Sequence, residues 1–232
     1  MRQPVSQAFK RLARIVSLVL FAWVSIGPVG SLLARSRRAK ELPVIRVGIY
    51  NYTEIHSSTL HEAETLAATL FAMAGVRIEW VEHLHKAASA WTPPDDPRPD
   101  FSLRILNAST IERSKGISGP DALGQSFIPP GTNGPFPGGI ANVYYDRVRE
   151  LSSEWGPFTT SVLGEAIAHE LGHLILGPQH SRQGIMKTPW THQDQKVISH
   201  CDLKFLPQQA VKLQMAVRSF HQEPPAAVLA RR

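Results

Sequence analysis

The chain has 232 residues, of which 43% are hydrophobic and 19% charged, the composition of one globular domain with terminal extensions rather than of a disordered chain. Its net charge of +6 comes from the first forty residues, which hold eight basic side chains (Arg2, Lys10, Arg11, Arg14, Arg35, Arg37, Arg38 and Lys40) and no acid; the other 17 basic and 19 acidic residues leave positions 41–232 at −2. That distribution argues against nucleic-acid binding by the folded part, and the single cysteine, Cys201, excludes both an intramolecular disulfide and a cysteine-rich zinc site.

From Ile15 to Ala34 no residue is charged, and Arg14 and Arg35 bracket the stretch. A basic start followed by an apolar run reads as an export signal, and the run is also long enough to span a bilayer as a helix. Gly27, Pro28 and Gly30 favour a cleaved signal peptide, whereas Leu32 and Ala34 make a poor small-residue cleavage site and favour an uncleaved anchor. Residues 1–40 are therefore expected to export the chain or to hold it on a membrane. Basic residues flank the run on both sides, so they do not orient it.

Val44 to Tyr52 alternates and is rich in branched and aromatic residues, the pattern of a strand. Ser58 or Thr59 is expected to cap a helix, with Glu62 near the reciprocal capping position. Leu60, Ala63, Leu66, Ala67, Leu70, Phe71 and Met73 then form an apolar stripe at helical spacing, and Gly75 ends it. Val76 to Val81 is a second strand. Strand, helix and strand at these lengths make a crossover unit with parallel strands. A Pro-rich loop follows from Trp91 to Asp100. Phe101 to Leu106, Ala122 to Ile128 and Ile140 to Tyr145 are further strands, the last two separated by the Gly- and Pro-dense loop Pro129 to Gly139.

Asp146 to Trp155 predicts a short helix. Thr159 or Thr160 is expected to cap a long one through Leu176, closed by Gly177-Pro178. A final helix is expected over about Asp202 to Phe220, with Pro207 in its first turns and its early end as a separate turn. The tail from Glu223 reads as disordered. The whole predicts an α+β domain over 41–222.

The chemistry concentrates in His169-Glu170-Leu171-Gly172-His173. Two histidines four apart on a helix project from one face, so both ring nitrogens can reach one zinc ion. Glu170 follows the first and stands where it can take a proton from a water that the metal activates. The helix around them is almost entirely small or apolar, so these three polar side chains need partners, and a metal is one. His180 lies beyond the closing Gly177-Pro178 as a candidate third ligand, with Asp194 and Asp202 as rivals.

The stretch HELGHLILGPQHSRQGIM, His169 to Met186, resembles the metzincin clan of zinc peptidases, near its matrix-metalloproteinase-like and archaemetzincin-like families. The resemblance implies one catalytic zinc ion held by His169, His173 and His180, with Glu170 as general base. It also implies a helix-ending Gly177, and Met186 in a tight turn (the Met-turn) beneath the metal. It implies a mixed twisted sheet with an early crossover helix, an active-site helix and a C-terminal helix. The clan's spacing is HExxHxxGxxH; here three residues separate His173 from Gly177. A one-residue shift turns a continuing helix by about 100°, so the turn at Gly177-Pro178 is expected to absorb it.

A zinc metalloendopeptidase acting on a peptide or protein substrate is the expected function. The alternatives are a non-catalytic zinc-binding module and a zinc amidase acting on a non-peptide amide. Ala122 to Ile128 is a candidate edge for an extended substrate, with Pro129 to Gly139 as its rim. His192 and Trp190 follow the Met-turn closely enough to touch substrate. His56, His61, His83, His85 and His200 read as surface or capping residues. With no cysteine between the leader and the motif, a thiolate latch on the metal from that side is excluded. The sequence assigns Cys201 no role and sets no oligomeric state.

Overall fold

Alternation along Val44–Asn51 places Ile45, Val47 and Ile49 in the core and makes the first strand, β1. The computed structural model describes residues 41–82, 99–107, 122–128, 138–156 and 159–220. The leader, His83, His85, most of both Pro-rich loops and the tail from Glu223 lie outside the described residues. No helix among the described residues is long and apolar enough to cross a membrane.

Helix α1, Ser57–Met73, follows β1 and buries Ala63, Ala67, Leu70 and Phe71. Its cap lies two residues before Ser58 and three before Thr59, the expected caps. His56 is its N-cap and makes no side-chain cap bond. Glu62 instead accepts a 3.4 Å hydrogen bond from Thr160 Oγ1. At the other end the Val76 amide donates to Phe71 O and the Gly75 amide to Ala72 O, the pairing of a Schellman ending. That use of the Val76 amide explains why strand β2 is Arg77–Glu82 rather than Val76 to Val81.

Strand β3 is Phe101–Leu106, β4 Gly124–Phe127 and β5 Gly139–Tyr144. The five strands form one mixed sheet in the order β2-β1-β3-β5-β4. β1 runs parallel to β2 and β3, and β3 parallel to β5, as a crossover helix between β1 and β2 requires. Only β4 is antiparallel, with Gly124 opposite Val143 and Ser126 opposite Ala141. It forms one edge of the sheet.

Helix α2, Tyr145–Trp155, starts where β5 stops. Tyr145 was expected to end the strand but opens the helix instead. The last ladder contact is the Tyr144 amide to Leu123 O, and Asp146 supplies an acid to the first helical turn, where it favours the helix dipole. Helix α3, Thr159–Leu176, is the centre of the molecule, and every residue from Val162 to Ile175 is buried. An apolar helix with no polar face has to be covered on all sides. Here α1, α2 and the sheet supply that cover, together with the segment after residue 200.

That segment is the separate early end expected around Pro207. Asp202–Leu206 is not helical, and α5 spans Pro207–Phe220. Proline has no amide hydrogen to lose at a first helical position. The Gln209 side chain reaches back to the Leu206 amide at 2.9 Å, which is half of a capping box. Leu203 and Phe205 are buried, and Phe205 meets Phe71 edge-on at 4.9 Å. Gln195–Ser199 forms a five-residue helix, α4, which the sequence pattern did not suggest. The α+β architecture with its early crossover helix, central helix and C-terminal helix is as expected.

Candidate metal centre

Helix α3 carries His169, Glu170 and His173, and all three side chains are almost wholly buried. The chain leaves the helix at Gly177, whose φ of 91° is open to glycine at no steric cost. His180 folds back, and its Nε2 lies 3.2 Å from that of His173.

Backbone carbonyls set the tautomers of the two helical histidines. His169 Nδ1 is 2.7 Å from Ile185 O, and His173 Nδ1 is 2.9 Å from Gly177 O. A carbonyl oxygen can only accept, so each Nδ1 carries the hydrogen and each Nε2 is left with a lone pair. Those two Nε2 atoms face each other at 3.0 Å with no proton between them. The ligand atoms of His169, His173 and His180 all lie within 4.8 Å of one another. Nitrogens held about 2.0–2.1 Å from one tetrahedral ion stand about 3.3 Å apart. The three imidazoles therefore fit a metal such as zinc.

Burial keeps the imidazoles neutral, as a metal requires. It pushes His169 down to about 3, helped by His173 and His180 and opposed by the bond to Ile185. Burial lowers His173 and the more exposed His180 as well.

Glu170 faces the edge strand. Ser126 Oγ lies 2.7 Å from its Oε2 and 2.7 Å from its backbone oxygen. Burial pushes the Glu170 carboxyl up to about 7, and the Ser126 hydroxyl holds it from rising further. A hydroxyl can donate to a carboxylate or accept from a carboxylic acid, so this contact suits either protonation state. Neither Ser126 nor its neighbour Gly124 carried a signal in the sequence. A four-residue strand shows its partner only once folded, and Ser126 and Glu170 are 44 positions apart. Burial and the nearby Glu170 also raise the Tyr144 phenol, whose hydroxyl donates to Gln125 Oε1 at 3.2 Å.

Met186 is fully buried, with its sulfur against Gly172 of α3. The Lys187 amide donates to Gly184 O and the Ser181 amide to Met186 O, closing a tight turn. The Ile185 amide donates to Lys204 O, so the segment before α5 braces that turn from below.

The rival ligands are engaged elsewhere. Asp194 accepts from Lys187 Nζ at 2.7 Å and from the Thr191 amide at 2.8 Å. Burial alone would raise this carboxyl, but Lys187 and Thr191 outweigh it and hold Asp194 below its usual value. Asp202 is exposed and pairs with Lys204. His56 and His61 are exposed at the start of α1, and exposed His200 contacts Lys196 O through Nδ1. Cys201 Sγ lies 3.5 Å from Ser161 Oγ, away from the histidines on the far end of α3.

A cleft of about 970 Å³ opens over the site. One wall is the edge strand with its flanks, Ala122 to Ser126 and Ile128, and another is Lys187 to His192, which includes Trp190 and His192. The Trp190 ring stands edge-on to His169 at 6.0 Å. Glu150, Leu151 and Glu154 of α2 line the end nearest Ala166.

No protein-family model matches the chain, and no curated protein matches its sequence. Among solved structures it is similar to archaemetzincin from Methanopyrus kandleri, with a TM-score of 0.40 and 14% identity over 78% of this chain and 98% of that one. The case for a metal stands on the three imidazoles themselves.

Proposed function

We propose that this chain is a zinc-dependent endopeptidase, exported or anchored to a membrane by its N-terminal segment. One observation carries the reading: three imidazole nitrogens converge beside a buried carboxyl in a cleft lined by the edge strand β4. His169, His173 and His180 would hold the zinc ion. Bound zinc would polarise the substrate carbonyl and bring a water towards a pKa of about 7.

The chain's own residues supply the rest. Glu170 takes the proton of the attacking water on its carboxylate and passes it to the departing amine nitrogen. Ile185 O and Gly177 O fix the two helical rings so that Nε2 faces the metal, as carbonyl partners do at metal-ligating histidines. Among the described residues strand β4 pairs only with β5, and its other edge would take an extended peptide. Buried Met186 would serve as the apolar floor that the metzincin Met-turn provides. The uncharged run from Ile15 to Ala34 between basic flanks supports export or anchoring.

Glu170→Gln is the test. The variant should retain zinc while peptide cleavage falls about 10²–10⁴-fold. A zinc-loaded wild type that cleaves nothing in a broad peptide library would sink the peptidase reading. Turnover of non-peptide amide polymers instead would redirect it to an amidase.

A further inference from the structure

We propose that Ser126 is a positioning residue that holds the Glu170 side chain in register with the edge strand; this rests on the hydrolytic reading of Glu170. The carboxyl of Glu170 has no hydrogen-bond partner among the described residues other than the Ser126 hydroxyl. The same hydroxyl lies 2.7 Å from the Glu170 backbone oxygen, so its single hydrogen is shared between that oxygen and the carboxylate. A carboxyl hydrogen-bonded at its tip loses some of the rotamer freedom that would otherwise blur its position.

The strand also closes on the carboxylate from a second point. Gly124 is two residues before Ser126, and alternate strand residues share a face. A Cβ at Gly124 would stand 2.6 Å from Glu170 Cγ and 2.8 Å from Cδ. The backbone therefore passes directly against the side chain whose tip Ser126 holds. β4 is fixed in turn by its pairing with β5, Gly124 to Val143 and Ser126 to Ala141. The edge that would carry a substrate backbone and the carboxyl that would move its proton are thus joined through one hydroxyl. Displacing a reacting group by about 1 Å costs about 10²-fold in rate, so this link matters to turnover more than to binding.

The test compares Ser126→Ala, Ser126→Thr, Glu170→Gln and the Ser126→Ala/Glu170→Gln double variant in the zinc-loaded full chain. The probe is the best-cleaved library peptide. Ser126→Ala should lower kcat about 10- to 100-fold and leave KM, zinc content and the melting midpoint near wild type. Ser126→Thr should recover most of the loss. In the Glu170→Gln background Ser126→Ala should add little, because two residues that act as one unit are not additive.

Wild-type kcat in Ser126→Ala beside a crippled Glu170→Gln would overturn the proposal and leave the peptidase reading standing. A full multiplicative loss in the double variant would also overturn it. An undiminished Glu170→Gln would remove the reading itself. A crystal structure of Ser126→Ala gives a readout without turnover: a displaced or multiply placed Glu170 carboxyl supports the proposal, and an unmoved one contradicts it.

Discussion

Met186 Sδ occupies the space that a side chain at Gly172 would need. A Cβ on Gly172 would stand 2.6 Å from that sulfur and 3.1 Å from Phe205 Cε1. Glycine between the motif's two histidines is thus set by the turn at 184–187 and by the segment before α5. Gly172→Ala forces the buried methionine out of its place against α3. Overpacking of this kind costs about 1–3 kcal/mol. The denaturant midpoint should fall by a corresponding amount and zinc should bind more weakly. An unchanged midpoint with unchanged zinc affinity would show that the floor is more compliant than this contact indicates.

Glu165 is fully buried on α3, and among the described residues neither carboxyl oxygen has a well-formed hydrogen bond, the Leu203 amide offering only a poorly aligned one. Burial pushes it up to about 9, with nearby Asp202 adding to the rise and the Leu203 amide opposing it. The folded state therefore keeps a proton that the unfolded chain releases near 4.5. Stability from this group is complete below that unfolded value and declines as pH rises towards about 9. Glu165→Gln removes the dependence. In denaturant melts at pH 5, 7 and 9, the variant should gain on the wild type at each step upward. A constant difference across that range would mean that Glu165 is satisfied in solution.

Asp194 is the test of which side chains the metal does not use. Its carboxylate is held by Lys187 and Thr191. Asp194→Asn should leave zinc content at the wild-type level. It should cost roughly 1.5–3 kcal/mol, the worth of hydrogen bonds to a charged group, read from chemical denaturation. Loss of zinc in this variant would restore Asp194 as a ligand.

The parts of the site that repeat with a local period were legible in the sequence. His169, Glu170 and His173 announce themselves by spacing on one helix, and β1-α1-β2 by its alternation and stripe. Gly177-Pro178 signalled the turn that returns His180. What stayed hidden depends on contacts between distant segments. Ser126 reaches Glu170 across 44 positions, and nothing in Gly-Gln-Ser-Phe marks it. Gly172 reads as an ordinary helix filler until Met186 is placed against it. Pro207 signalled that Asp202–Leu206 stands apart from the last helix, but not what those residues touch. In the fold they brace the Met186 turn through Lys204 O and fill the space under α3 with Leu203 and Phe205.

The central claim is that three histidines, including the displaced His180, hold one zinc ion. The most direct measurement is the zinc content of the purified full chain by elemental mass spectrometry, beside His180→Ala. The account predicts about one zinc per chain in the wild type and its loss or marked weakening in the variant, with the fold retained in both. A folded wild type that takes up no zinc when supplied with it would contradict the account, and so would a His180→Ala variant that binds zinc as tightly as the wild type.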